Sequence, residues 1–194
     1  MREDARHPTV VGGNIGTAIC AVVDGSEAGE TAVLEISSFQ LEGIRSFRAA
    51  VAVLLNITPD HLDRYGHSFE RYAAAKARIF ENQQPGDVAI YSGDDQAACD
   101  TAGKAVRPGV PRLVFRAAGP VDEGAFVDRG RLMTVLDGRV TEVLPVEEIS
   151  IRGLHNLLNA MAAVLAVKAR GIATASARAS LRNFRGVEHR LEFV

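Results

Sequence analysis

Two short apolar runs constrain the fold of this chain more than any other feature. Thr31-Ala32-Val33-Leu34-Glu35-Ile36-Ser37 and Ala49-Ala50-Val51-Ala52-Val53-Leu54-Leu55 are nearly continuous in apolar residues, where a strand with one wet face would alternate polar and apolar. Both read as strands buried on both faces of a parallel sheet. The first run carries Glu35 and leads into Ser37-Ser38, and the second leads into Asn56, Thr58 and Asp60-His61. Open α/β sheets bind ligands just outside the carboxyl ends of their strands, so the two polar clusters are expected to converge on one site.

Strand and helix signals alternate along the chain. A strand near Thr9-Val10-Val11, a helix from Ile15 to Val23, the Glu35 strand, the Val51 to Leu55 strand and a helix from Phe69 to Asn82 come first. A strand at Val88-Ala89-Ile90-Tyr91, a helix from Gln96 to Lys104 and a strand from Arg112 to Phe115 follow. This order predicts an α/β fold, a mostly parallel sheet with helices on both faces. Between about residues 117 and 151 the texture changes. Phe126-Val127-Asp128, Leu132 to Leu136 and Val140 to Val143 are short runs set off by Gly124, Gly130 and Gly138, which predicts a small antiparallel meander. The 194 residues suffice for one substantial core, and no internal repeat or low-complexity linker divides them. Met1 to Pro8 reads as an unassigned tail, leaving one domain over residues 9–194 with a small antiparallel subdomain near 117–151.

One cation falls where the helical period predicts burial. Phe69, Tyr72, Ile79 and Phe80 recur at helical spacing, and Lys76 lies on the same stripe, seven residues after Phe69 and four before Phe80. An ammonium group there is costly to bury. Either Lys76 reaches the rim and keeps its amine in water, or its charge is altered or paired for chemistry. Glu35 and His61 are residue types that ligate divalent cations, and Asp60 or Asp63 can orient the imidazole from behind. Singly, a glutamate at a strand end is commonly a solvated edge and a loop histidine commonly nothing more. On one rim with Lys76 they point to a metal or phosphate site.

Downstream, Gly153 precedes a helix in which Leu154, Leu157, Leu158, Met161 and Leu165 form the packed stripe, and Gly171 closes it after Lys168 and Arg170. Asn156 and Asn159 are left together on another face near the helix start. Their amides either meet a base edge or bond the local backbone. Gly12-Gly13-Asn14-Ile15-Gly16 reads as a tight turn or a phosphate loop.

Six segments stand in the order of motifs of the Mur ligase central domain: Gly12 to Gly16, Leu34 to Glu42, Asn56 to Arg64, Tyr72 to Lys76, Gly153 to Ala160 and Gly186 to Val194. The chain resembles that domain from about Val10 to Val194, and Ser37-Ser38-Phe39-Gln40-Leu41-Glu42 is most similar to the branch that adds D-glutamate. The resemblance implies a P-loop-NTPase-like domain of an ATP-dependent, ADP-forming ligase of peptidoglycan synthesis. Its substrates would be UDP-N-acetylmuramoyl-L-alanine, D-glutamate and ATP, joined through an acyl phosphate. It further implies that Glu35 helps hold one magnesium ion, while His61 and a carbamylated Lys76 belong to a second. A carbamate is an anionic oxygen ligand suited to a hard cation, and it removes the anomaly of a buried ammonium. Asn14, Ser37 and Arg64 match positions near the muramoyl substrate or reacting phosphate, and Asn156, Asn159 and Arg190 match positions that meet the adenine nucleotide.

No Gly-x-x-x-x-Gly-Lys-Ser/Thr sequence occurs in the chain. The resemblance places this phosphate loop upstream of Gly12, a UDP-binding domain further upstream and an amino-acid-binding domain after Val194. The chain is therefore expected to be the interior of such a ligase and inactive alone. The alternative is a truncated relic that at most binds nucleotide or a partner weakly.

Composition sets the remaining bounds. A net charge of −2 argues against a nucleic-acid surface. Cys20 and Cys99 both fall in expected helices, as free buried thiols of a reducing compartment would. No run approaches transmembrane length and the charged start has no signal-peptide core. A cytoplasmic monomer acting on small molecules, with no membrane insertion, is the expectation.

Overall fold

The structure, a computed structural model, describes residues 7–14, 16–23, 25–27 and 29–186. Strands β1 (Thr9–Gly13) and β2 (Thr31–Glu35) pair in parallel as a two-stranded sheet, linked through the short helix α1 (Ile19–Val23). Six further strands form one sheet in sequence order: β3 (Val51–Leu54), β4 (Val88–Ser92), β5 (Arg112–Arg116), β6 (Gly124–Asp128), β7 (Arg131–Leu136) and β8 (Arg139–Pro145). Pairing is parallel from β3 to β6 and antiparallel from β6 to β8.

The pleat divides β3 and β4 between two cores. Val51, Val53, Val88 and Ile90 face one, which α5 (Leu154–Lys168) and α6 (Thr174–Asn183) close through Met161, Val164, Leu165, Ala177 and Leu181. Ala52, Leu54, Ala89 and Tyr91 face the other. That side is closed by Tyr72 and Ala75 of α3 (Phe69–Ala77), Phe80 just beyond it, and Ala98 and Ala102 of α4 (Gln96–Ala105). Successive residues buried on opposite faces are what a continuous apolar run requires, so the predicted α/β layering holds for β3 and β4.

β2 departs from that expectation. Val33 is 48% exposed and its partner-strand neighbour Val11 is 67% exposed, because β1 is the strand paired with β2 and no helix layer like α3 and α4 covers the pair among the described residues. α1 is also shorter than the predicted helix from Ile15: the N–H of Gly13 donates to the Thr17 carbonyl (2.9 Å), so the glycine-rich stretch turns before the helix begins. Cys20 on α1 is consequently exposed and Cys99 only partly buried, which corrects the reading of both as buried thiols; both are free.

α3 ends at Ala77, not Asn82, and tightens into a 3-10 turn over Arg78–Phe80. The Asn82 amide donates to the carbonyls of Arg45 and Phe47, at 3.0 and 2.9 Å, drawing this turn against the entry to β3. Arg48 and Asp87 close the same junction with a bidentate pair at 2.6 and 2.9 Å. On α5, Met161 and Leu165 are fully buried as predicted, but Leu154 is 60% exposed because the first turn projects beyond the core.

The meander is present as β6–β8, and parallel pairing of β5 with β6 makes it continuous with the rest of the sheet. Gly124 permits the junction. At φ +142° it approaches β5 so closely that a Cβ there would lie 1.8 Å from the Val114 carbonyl oxygen. Among the described residues no helix is long and apolar enough to cross a membrane.

Candidate functional site

At the carboxyl ends of β1 and β2 the two backbones nearly touch. Gly13, at φ +124°, has no room for a Cβ, which would lie 2.1 Å from the Glu35 carbonyl oxygen, and the N–H of Asn14 donates to that oxygen at 2.7 Å. The side chains of Asn14 and Glu35 are exposed beside this contact. Two residues on, Ser37 caps α2 (Ser38–Glu42). Its hydroxyl accepts from the Gln40 N–H (3.4 Å), and Gln40 Oε1 accepts from the Ser37 N–H (2.9 Å). This is a capping box, carried by the spacing Ser-x-x-Gln, and it gives Ser37 a structural task.

The segment after β3 folds back onto α2. Ile57 anchors it in the core at 3% exposure. Asp60 Oδ1 accepts the N–H of His61 at 2.8 Å, and Asp60 Oδ2 lies 3.5 Å from His61 Nε2. Arg64 donates from Nε and Nη2 to the two oxygens of Glu42, at 3.3 and 2.8 Å, and this bonding holds the Glu42 carboxyl below its ordinary pKa. The Phe39 ring lies 5.1 Å from the His61 ring, with the Arg64 guanidinium carbon 4.7 Å from its centroid.

Aromatic contacts extend this cluster to α3. Phe39 stacks on Tyr65 at 6.5 Å, Tyr65 meets Tyr72 at 5.4 Å, and the Lys76 amine lies 5.3 Å from the Tyr72 ring centroid. Lys76 is partly buried on the predicted stripe; burial lowers its pKa and the nearby charge of Asp60 opposes that shift. α2, the turn carrying His61 and Arg64, and α3 thus gather at the carboxyl end of β3. Among the described residues no three His, Cys, Asp or Glu side chains are close enough together to hold a metal ion by themselves.

The residues expected to meet a nucleotide lie elsewhere. The Asn156 amide donates to the Arg152 carbonyl at 2.7 Å, so in this structure it bonds local backbone at the helix start. Asn159 is exposed, and Arg190 lies outside the described residues. An open cavity of about 280 Å³ at the start of α5 is lined by Val146, Glu147, Ile149, Ile151, Arg152, Gly153, Leu154 and Leu157.

Compared with known families, residues 15–167 match the Mur ligase middle domain. The chain belongs to the Mur ligase family. The UDP-N-acetylmuramoylalanine–D-glutamate ligase of Acidobacterium capsulatum is 46% identical over 195 residues, covering 99% of the chain and 41% of that protein. The ligase of the same name from Pelotomaculum thermopropionicum is 46% identical over 194 residues, with the same coverage. The chain therefore spans about two fifths of the length of the curated relatives it matches. Among solved structures, a UDP-N-acetylmuramoyl-L-alanyl-D-glutamate–2,6-diaminopimelate ligase aligns at TM-score 0.76 and 22% identity, covering 99% of this chain and 44% of that one. MurF from Acinetobacter baumannii aligns at TM-score 0.71 and 19% identity, covering 98% and 43%. At those identities the likeness establishes the fold.

Proposed function

We propose that this Mur ligase middle domain works within an ATP-dependent, ADP-forming ligase that joins D-glutamate to UDP-N-acetylmuramoyl-L-alanine in cytoplasmic peptidoglycan synthesis. The observation that carries this reading is 46% identity, over 99% of the chain, to relatives bearing that activity in their names. In such a reaction the γ-phosphoryl group of ATP passes to the substrate carboxylate, giving an acyl phosphate and ADP. The amine of D-glutamate then attacks the carbonyl carbon, inorganic phosphate leaves with the bonding pair of the broken C–O bond, and the amine loses a proton as the amide forms.

Glu35 would help hold one magnesium ion, and His61 with Lys76, the latter as its carbamate, a second; carboxylate, imidazole and carbamate are all donors that fit such an ion. Carbamylation needs a neutral amine, which partial burial of Lys76 favours, and the product is an anionic oxygen donor suited to a hard cation. Magnesium, when bound, neutralises charge on the transferring phosphoryl group. Arg64, with the N–H groups it does not give to Glu42, and Asn14 would orient the muramoyl carboxylate or the phosphate. Asn156, Asn159 and Arg190 would meet the adenine nucleotide, Asn156 by exchanging its bond to Arg152 for one to the base.

The test is a chimera in which these 194 residues replace the matching stretch of the Acidobacterium capsulatum ligase. ADP release dependent on D-glutamate is expected, and Lys76→Ala should lower it by more than about a hundredfold, beyond the usual cost of losing an outer-shell partner. A folded chimera without such turnover overturns the reading. The 194 residues alone, which contain no Gly-x-x-x-x-Gly-Lys-Ser/Thr sequence, are expected to release ADP at background, as in the relic reading.

A further inference from the structure

We propose that Phe39 is a positioning residue of this site, its ring fixing the His61 imidazole and the Arg64 guanidinium against α2. The inference rests on the reading of His61 as part of a cation site. His61 adopts φ +50°, a left-handed backbone that non-glycine residues take up at a cost and keep only when neighbours impose it. Its side chain is 57% exposed, so burial does not impose it. Local contacts do: the Asp60 carboxylate accepts its backbone N–H and lies 3.5 Å from its Nε2, the Arg64 N–H donates to its carbonyl at 3.1 Å, and the Phe39 ring meets the imidazole at 5.1 Å and 59°, within the tilted geometry that aromatic pairs favour.

Arg64, three residues further on, uses the same ring. Its guanidinium lies 4.7 Å from the Phe39 centroid while two of its nitrogens grip Glu42, which is one helical turn after Phe39. α2 thus offers a ring and a carboxylate on neighbouring positions to residues 61 and 64. The helix is itself held, by the Ser37 capping box at one end and by Arg78, which donates to the Glu42 and Ile44 carbonyls, at the other. Phe39 remains 37% exposed, so its ring serves these two side chains more than it fills the core.

The test follows the His61 ring Cε1–H resonance by NMR in the 194-residue chain, with Mn2+ alone as the probe, in wild type, Phe39→Tyr and Phe39→Leu. Phe39→Tyr keeps the ring and should keep both the resonance position and the Mn2+ concentration that broadens it. Phe39→Leu should shift the resonance through loss of the ring current and require roughly tenfold more Mn2+, the lower end of what losing a ligand's supporting partner costs. A Phe39→Leu chain in which the resonance is unmoved, or broadens at the wild-type Mn2+ concentration, overturns the proposal. If Mn2+ leaves His61 untouched in wild type, the cation reading falls, and the His61 HN–Hα coupling, which reports its backbone φ, decides in Phe39→Leu whether the ring holds the left-handed turn. Phe39→Met, which keeps length without a ring, replaces Phe39→Leu should that variant not fold.

Discussion

β2 reads Thr-Ala-Val-Leu-Glu and β3 reads Val-Ala-Val-Leu, and each pairs in parallel with a neighbour. Ala52 and Leu54 of β3 are nevertheless 1% and 5% exposed, where Val33 of β2 is 48% exposed. The hydrogen-bonded ladders are alike, so strand pairing does not make the difference. Helices do: α3 and α4 pack on one face of β3 and α5 on the other. An apolar run therefore announces that a strand needs cover, and the layers around it determine whether it has any.

Four measurements break or sharpen this contrast, taken from the largest expected effect. Phe115→Ala, in the core beneath α5 at 0% exposure, should cost about 3–5 kcal/mol in urea unfolding, enough to leave little stability. Survival of this variant with a near-normal midpoint would mean the core carries less than its burial implies. Asp87→Asn, at the junction that ties β3 to β4, should cost about 1–2 kcal/mol at pH 7, less than a fully buried pair because the Arg48 side chain is 44% exposed. The Arg48 hydrogen bonds hold the Asp87 carboxyl below its ordinary pKa. Its contribution is therefore complete above the unfolded value of about 4 and fades as pH falls through the lower folded value, so Asp87→Asn should flatten the acid limb of a stability curve.

Ser37→Ala, where β2 hands over to α2, should cost about 1 kcal/mol through the lost cap, and Ser37→Asp should recover most of it. Equal stability of all three proteins would leave the hydroxyl free for a purely ligand-binding task. Val33→Ala should change stability by less than about 0.5 kcal/mol. A loss of 2 kcal/mol or more, on the scale of burying a valine side chain, would show that β2 is covered in solution and erase its contrast with β3.

The order of elements was legible because helical and strand periods, together with glycines such as Gly153 and Gly171, mark it locally. The expectation that Ser37-Ser38 and Asp60-His61 converge rests on one shared sheet, whereas β2 and β3 lie in separate sheets; α2 meets the His61 turn through side-chain contacts of Phe39 and Glu42. The role of Phe39 was not legible. It depends on contacts with residues 22 and 25 positions later, which no local period encodes. The early end of α3 was hidden for the same reason, being imposed by bonds from Asn82 to Arg45 and Phe47. Leu154 fits the apolar stripe of its helix, and the stripe says nothing of where the core stops. The capping box at Ser37 is encoded locally, in the spacing Ser-x-x-Gln.

The glycine at the β5–β6 junction bears on how this domain can be rebuilt by recombination. Because Gly124 lets the meander join the parallel strands edge to edge, Ala125, Leu132 and Leu144 share one interior with α5. Exchanging residues 124–145 between relatives at two crossover points would thus mix side chains on both sides of a packed boundary. A crossover near Asp137–Gly138, at the tip of the β7–β8 hairpin, cuts an exposed turn whose two N–H groups donate to the Glu123 carboxylate, and it separates two strands of that interior. Parents for such shuffling should be chosen by how well Ala125, Leu132 and Leu144 of one match the α5 face of the other.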